Sequence, residues 1–535
     1  MRKYAIYLLP LLFLNSCLSE NPRSQLPEGE AYKSASELYI NAVATLYNYI
    51  GGNSESQGLQ GTYRGVYDYN TFSTDEAMLP TRGGDWYDGG FWQNLYLHAW
   101  TPTDNSLYNT WNYLYKVIVL CNRSLATIDS HADLLDASGK QAYTAEVRAL
   151  RAMYYYYLQD LFGNVPLVTS ADTPLDQIGQ GGRSSVFDFC VRELQEAAPF
   201  LPEGHSNYKG GNYGRITRSV AYFLLAKLAL NAEIYSDDDW TDAQKPSGNN
   251  LFFNVDGQKQ NAWQTVVAYC DKIKAEGFSL SEDYAANFSI HNETSPENIF
   301  TIPMDKNLYA NEFQYLFRSR HYNHGGALGM DAENGTCATL STLQTYGYGT
   351  PATDSRYAVN FYSDTLRVDG RVVRLDNGEA LVYKPLEVRL DLSGTAYEKT
   401  AGARMAKYEI DRTAYADGKL QDNDIVLFRY ADVLLMKAEA KTRNGQDGST
   451  ELNQVRRRAG MAARSATLDN ILDERLLELM WEGWRRQDLI RFGRFCQAYD
   501  LRPQLQSEND GHTVVFPIPD KALKQNKQLR PNPGY

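Results

Sequence analysis

Glu146-Val-Arg-Ala-Leu-Arg-Ala-Met-Tyr-Tyr-Tyr-Tyr-Leu-Gln-Asp-Leu-Phe-Gly-Asn-Val-Pro-Leu-Val168 is the stretch on which the fold turns. Val147, Leu150, Tyr154, Leu158 and Leu161 recur at three and four residues, which makes one buried stripe of an α-helix over 142–162. Gly163-Asn164 then supplies a C-terminal stop before Val165-Pro166-Leu167. The same period appears upstream at 35–50 and 104–128, and downstream at Val186–Phe200, Thr217–Tyr235 and Trp263–Ala275. It returns over Ile425–Asn444, Ser449–Ala459 and Asp469–Phe492. Between about 278 and 400 the period disappears; Gly, Asn, Thr and Tyr dominate, and runs at 366–374 and 380–390 alternate like β-hairpins or long loops. Helix–turn–helix units at roughly thirty- to forty-residue spacing describe a tetratricopeptide-like scaffold, although the strict consensus is absent. The fold class is therefore mainly α, with a long irregular, β-containing insertion carrying the ligand face, since loops on a rigid frame are where recognition concentrates.

The N-terminus carries an address. Arg2 and Lys3 precede a largely apolar stretch from Tyr4 to Leu14, too short to span a bilayer but long enough for a signal peptide. Leu14-Asn15-Ser16-Cys17 has the form of a lipobox, in which the Cys17 sulfur takes the lipid and several acyl chains together anchor the protein firmly. Residues 1–16 are read as a signal peptide, 17–30 as lipidated cysteine and flexible tether, and 31–535 as one body.

The net charge of −12 argues against nucleic acid, whose phosphates call for a basic surface. Cys121, Cys190, Cys270, Cys337 and Cys496 show no C-x-x-C and no Cys/His ligand spacing, so buried thiols are expected rather than a zinc site or disulfide framework. The 39 Tyr and 8 Trp suit flat, amphipathic contact with sugars or peptides, or simply helix packing.

Several segments, in order, resemble the SusD/RagB-like outer-membrane lipoproteins. The 146–168 helix resembles the signature helix of that family, and Gly214-Arg-Ile-Thr-Arg218 through Tyr235 its next helix. Phe428-Arg-Tyr-Ala-Asp-Val-Leu-Leu-Met-Lys-Ala-Glu-Ala440, Leu452-Asn-Gln-Val-Arg-Arg457 and Glu474 through Arg491 are similar to its C-terminal half. Phe516-Pro-Ile-Pro519 and Asn532-Pro-Gly-Tyr535 resemble its ending. The resemblance implies four tetratricopeptide-like units under a variable face of loops. It also implies a cell-surface, lipid-anchored protein that acts as a lid over a SusC-like TonB-dependent transporter, capturing oligosaccharides (peptides in some RagB-like members) without catalysis.

The first candidate ligand loop is Ser73 to Trp92. Trp86 and Tyr87 stand between Gly83-Gly84 and Gly89-Gly90, where nothing bulky need shield the rings. Sugar C–H faces stack on such rings, and Asp85, Asp88 and Arg82 are placed to bond hydroxyls; Trp92 and Asp68 are further candidates. The second patch, 305–350, offers Tyr309, Tyr315, Tyr322, His324, Tyr346 and Tyr348, with Arg404 and Tyr408 beyond it. The acidic run Ser236-Asp-Asp-Asp-Trp240 could hold calcium but lacks the spacing of a dedicated loop, and a solvated turn explains it better; no other cofactor is indicated. A secreted glycoside hydrolase is the main rival, ahead of a surface adhesin. Glu474, Glu478 and Glu482 lie on one helix face beside Arg475, Arg485 and Arg486, however, which reads as an ion-pair network orienting helices, not an acid/base pair across a cleft.

Overall fold

The computed structural model describes residues 31–535 except 61, 309–310, 312–314 and 418–420. The lipobox, Cys17, the tether and Tyr309 lie outside the described residues.

Eight helices form the frame: α1 (Asn105–Ser130), α2 (Ala137–Phe162), α3 (Arg183–Ala197), α4 (Arg218–Leu230), α5 (Ala262–Ala275), α6 (Tyr430–Arg443), α7 (Ser449–Arg458) and α8 (Leu468–Leu479). Each packs on the next in sequence, and α5 packs directly on α6 across the long insertion. The result is four stacked helix pairs, the tetratricopeptide-like arrangement expected from the spacing. From Ala145 onward α2 is buried on nearly every side, so it is a central helix and not an amphipathic one. Its four consecutive tyrosines point around the whole circumference, and three of their hydroxyls meet partners on other elements: Tyr154 with Tyr113 (3.2 Å), Tyr155 with the Val168 carbonyl (2.9 Å) and Tyr156 with Gln487 (2.8 Å). Gly163 ends the helix at φ 67°, and a Cβ there would lie 2.4 Å from the Trp240 ring. Glycine is required twice over.

Two expected helices differ. Ile425–Arg429 is a strand (β2), not the start of a helix; it pairs antiparallel with Asn298–Ile302 (β1), and all ten residues are buried. A short, wholly buried apolar run has no periodicity that separates strand from helix. The Asp469–Phe492 helix is broken after Leu479 and resumes as α9 (Arg485–Arg491). Trp481 and Gly483 take φ 67° and 73°, and the turn is held by the buried Glu76 carboxylate, which accepts the Trp481 N–H at 2.5 Å. Here tertiary contacts override local helical preference.

Apart from β1, the described chain from 278 to 424 is irregular, beyond the expected limit at 400, and is punctuated by short helices and two-residue strands. The 366–374 expectation holds: Arg367–Val368 and Arg371–Val372 form a hairpin, flanked by Asp364–Thr365 paired with Val382–Tyr383. Lys384 forms a single bridge to Ala401, and from 385 to 390 the chain is turn and loop, the second form expected for 380–390. The β1–β2 ladder closes the neck of this excursion.

A buried ionic lattice locks the insertion to the frame. Arg429 bonds Glu297 (2.7 Å), Glu478 (2.5 Å) and Glu482 (2.8 Å); Arg356 bonds Glu474 (2.8 Å) and Glu478 (2.7 Å); Lys407 bonds Glu482 at 2.5 Å. Arg475 pairs with Asp432 and Asp488, Arg485 with Asp75, and Arg486 with Asp160. Glu474 and Glu478 on one face of α8 thus orient neighbouring elements as their spacing indicated, while Glu482, expected on the same helix face, joins them from the turn after the helix breaks. Removing one partner of such a group strands the other and costs about 3–5 kcal/mol.

Candidate functional site

The candidate face is built on the short helix Val66–Phe72, every residue of which is buried. Asp68 in its first turn accepts the Arg64 N–H at 2.7 Å and grips the Arg318 guanidinium at 2.8 and 3.0 Å. Burial acts to lower the Arg318 pKa, but Asp68 outweighs it and holds the guanidinium above its ordinary value. Asp68 is fully buried and belongs to the footing of the site instead of its surface.

Arg82 also lies below the surface. Its guanidinium is buried and donates to the carbonyls of Gly335 (3.1 Å), Glu398 (3.0 Å) and Ala401 (3.0 Å), pinning three segments together. Burial, reinforced by nearby Arg404, brings its pKa down to about 9. Buried at 0% exposure, the guanidinium is out of reach of a sugar hydroxyl.

Beyond that pin the chain rises into a strained loop. Gly83, Trp86, Asp88, Gly89 and Gly90 all have positive φ. For tryptophan, at φ 62°, this is a left-handed conformation that costs about 1–3 kcal/mol and persists only when its surroundings impose it. They do: the indole Nε1 donates to the Glu333 carbonyl at 2.8 Å, and a Cβ on Gly335 would lie 2.8 Å from the ring. The half-buried Trp86 ring rests against Trp92 (6.0 Å) and Tyr63 (6.3 Å). Tyr87 follows with 61% of its surface exposed.

Polar groups flank both rings. Asp85 accepts bonds from the Tyr322 hydroxyl (2.7 Å) and the Lys399 ammonium (2.9 Å). Partial burial acts to raise its pKa, but these two bonds prevail and keep it below the usual carboxylate range. Asp88 pairs with Arg64 at 2.6 Å and accepts the Trp92 indole N–H at 2.7 Å. Trp92 itself is 1% exposed, packed against Phe72 and Phe91; it supports Trp86 from beneath and offers no face to a ligand.

On the far side of Asp88 the loop borders a cleft of about 430 Å³ that runs to the start of α1. Tyr69, Phe91, Leu95, Trp100 and Phe516 line its apolar part. Glu55, Arg64, Asn94, Asp104, Asn105 and Asn109 supply polar groups. The side-chain amides of Asn94 and Asn109 have no hydrogen-bond partner among the described residues. Composition did not point to Tyr63, Arg64, Asn94 or Asn109. The available signal was the polar side of the Phe91–Tyr96 helix, where Asn94 lies opposite the buried Trp92 and Leu95.

Most of the described side chains of the second aromatic patch lie inside the protein. Tyr346 is buried and donates to the Leu477 carbonyl at 2.8 Å; Tyr408 is buried and accepts the Val426 N–H at 3.0 Å. His324 is buried against Tyr362 and Tyr383, and burial first, then Arg320, lowers its pKa to about 3. Arg404 is buried and donates to the Ser319 and Lys399 carbonyls at 2.9 and 3.1 Å. Tyr348 is half-buried on Asp364, and Tyr315 opens the helix Tyr315–Ser319. Among the described side chains of the patch, only Tyr322, 45% exposed, joins the Trp86 loop. Composition alone marks these residues, and packing claims most of the described ones.

The acidic run is spent on local structure: Asp238 accepts the Ser184 N–H and hydroxyl at the start of α3 (2.8 and 3.0 Å), while Asp237 and Asp239 bond Lys245 and Thr241. Cys121, Cys190, Cys270 and Cys337 are buried free thiols, and Cys496 is partly buried.

Two family models meet on this chain. The SusD family model matches residues 296–535, and one described as starch-binding associating with outer membrane matches 40–230. The chain belongs to the SusD/RagB-like family. Among curated SusD-like proteins it is 23% identical over 520 residues to the starch-binding protein SusD of Bacteroides thetaiotaomicron, covering 90% of this chain and 87% of that one. SusD-like protein P25 of Formosa agariphila is 25% identical over 98% of this chain and 97% of its own. Among solved structures, surface glycan-binding protein A from Bacteroides thetaiotaomicron in complex with laminarihexaose superposes with TM-score 0.70 at 21% identity, covering 93% of this chain and 99% of that one. At that identity the superposition establishes the SusD-like fold.

Proposed function

We propose that this SusD-like protein captures oligosaccharides at the cell surface and delivers them to a SusC-like TonB-dependent transporter. In this reading residues 1–16 are a cleaved leader, and the lipid on Cys17 and the tether to residue 30 hold a single body (31–535) at the outer membrane. The observation that carries the binding function is the Trp86 loop. A tryptophan is held in a costly backbone conformation with its N–H tied down, beside an exposed tyrosine and next to an amphipathic cleft. That arrangement leaves ring faces for sugar C–H groups and amides for hydroxyls. Trp86 and Tyr87, with Asp85, Asp88 and Tyr322 around them and Asn94 and Asn109 in the cleft, are the residues proposed to touch ligand. The names of relatives support the ligand class: one is a starch-binding protein, and another fold neighbour is described as a laminarin binding SusD-like protein. The acidic groups at the cleft favour capture over hydrolysis, since Glu55 and Asp88 both grip Arg64, at 3.0 and 2.6 Å, instead of facing each other across open space. Among the described residues no helix is long and apolar enough to cross a membrane.

Isothermal calorimetry of the protein against a panel of soluble polysaccharides tests this. Saturable binding without release of reducing ends is expected, weakened at least about tenfold by Trp86→Ala. Equal affinity in that variant removes the loop from the site.

A further inference from the structure

Charge around the loop narrows the ligand class, an inference that rests on the glycan reading above. Four cations touch the loop or its footing, and each is already engaged. Arg64 is shared by Glu55 (3.0 Å) and Asp88 (2.6 Å), and Lys399 is shared by Asp85 (2.9 Å) and Glu398 (3.7 Å). Arg318 is buried in its bidentate pair with Asp68, and Arg82 is buried on three carbonyls. At the surface this leaves Asp85, Asp88, Glu55 and Glu398 against only Arg64 and Lys399. Glu333 adds a further carboxylate, bonded to the Tyr63 hydroxyl beneath Trp86, and at the mouth of the cleft Asp104 adds one more while Lys521, bonded to Asn105 at 2.8 Å, adds one cation, so carboxylates still outnumber surface cations. The excess is local as well as global, since the whole chain carries −12.

We infer that the ligand is an uncharged glycan, and that this site rejects uronate-rich and sulfated polysaccharides. A carboxylate or sulfate arriving at the loop would meet an excess of like charges, since Arg64 and Lys399 beside it are already shared by acids and Lys521 sits at the far end of the cleft, and in a partly desolvated cleft like-charge contacts are strongly unfavourable. Neutral hydroxyls suit the same groups: carboxylates accept from them, and the amides of Asn94 and Asn109 can both donate and accept.

The experiment is calorimetry of the intact soluble protein at 20 and 300 mM NaCl. The neutral probes are amylopectin, laminarin, xylan, galactomannan and inulin; the anionic probes are polygalacturonate, alginate, carrageenan and chondroitin sulfate. The expected result is saturable binding of at least one neutral probe, changed less than about twofold by salt, with every anionic probe at least about tenfold weaker. An anionic probe that binds more tightly than all neutral ones overturns the charge inference and leaves the glycan reading standing. Binding of no probe in either class overturns both. A double variant, Asp85→Asn with Asp88→Asn, gives a second readout: at 20 mM NaCl its discrimination against polygalacturonate should shrink at least about threefold, and unchanged discrimination would remove these carboxylates as its source.

Discussion

Two stretches of this chain, 82–92 and 315–348, look alike in composition, both rich in aromatic rings, glycine and polar residues, yet the structure uses them in opposite ways. In the first, positive-φ positions lift the chain off its support, so that Tyr87 projects and the Trp86 ring is held near the surface by a single indole bond. In the second, the hydroxyl of Tyr346 reaches a frame carbonyl, His324 is walled in by tyrosines, and the rings serve as mortar between insertion and frame. Aromatic content therefore does not mark a recognition surface. What marks it is a ring on a backbone that cannot fold back over it.

The largest effect that sharpens this contrast belongs to the buried patch. Tyr346→Ala should cost about 3–5 kcal/mol in urea denaturation, from lost packing and a stranded Leu477 carbonyl, whereas Trp86→Ala should cost under about 2 kcal/mol. If the two variants are equally stable, the distinction between mortar and surface fails. Next comes Gly335→Ala, which places a methyl against the Trp86 ring and leaves the other proposed ligand contacts untouched. Its affinity should fall about three- to tenfold with the denaturation midpoint nearly unchanged, and full affinity would mean that the ring's position does not matter.

A further effect is in pH. The buried His324 imidazole is kept neutral, with its pKa near 3 in the fold against about 6.5 when unfolded. Its contribution to stability is complete above pH 6.5 and is lost as the pH falls from there toward 3. Urea midpoints of the native chain and of His324→Gln should therefore converge between pH 7 and 4.5. Ligand affinity at the Trp86 loop should stay flat over pH 5–8, because Asp85 remains ionised throughout. A sigmoidal loss of affinity near pH 6.5 would place a histidine in the binding surface.

Legibility followed the range of the interactions involved. The α2 stripe and the stop at Gly163 were readable because a helix and its cap are set by neighbours within four residues. The loop glycines were readable for the same reason. Ile425–Arg429 was not, since only its pairing with β1, more than a hundred residues earlier in the chain, makes it a strand. The burial of Arg82 and Trp92 is not legible, because local sequence cannot say which way a side chain turns once Gly335, Glu398 and Ala401 converge on the one and Phe72 and Phe91 on the other. Arg64 and Asn109 were missed because the cleft joins segments with no motif in common.

The β1–β2 ladder has an implication for how such proteins diversify. By fastening residues 298–302 to 425–429 it acts as a drawstring: whatever lies between them is gathered at one point on the frame. Lengthening that bag adds little closure entropy, since even doubling a loop costs only about 0.6 kcal/mol. Evolution can therefore tailor its contents with the helical stack unaltered, provided the few arginine and carboxylate rivets stay in place.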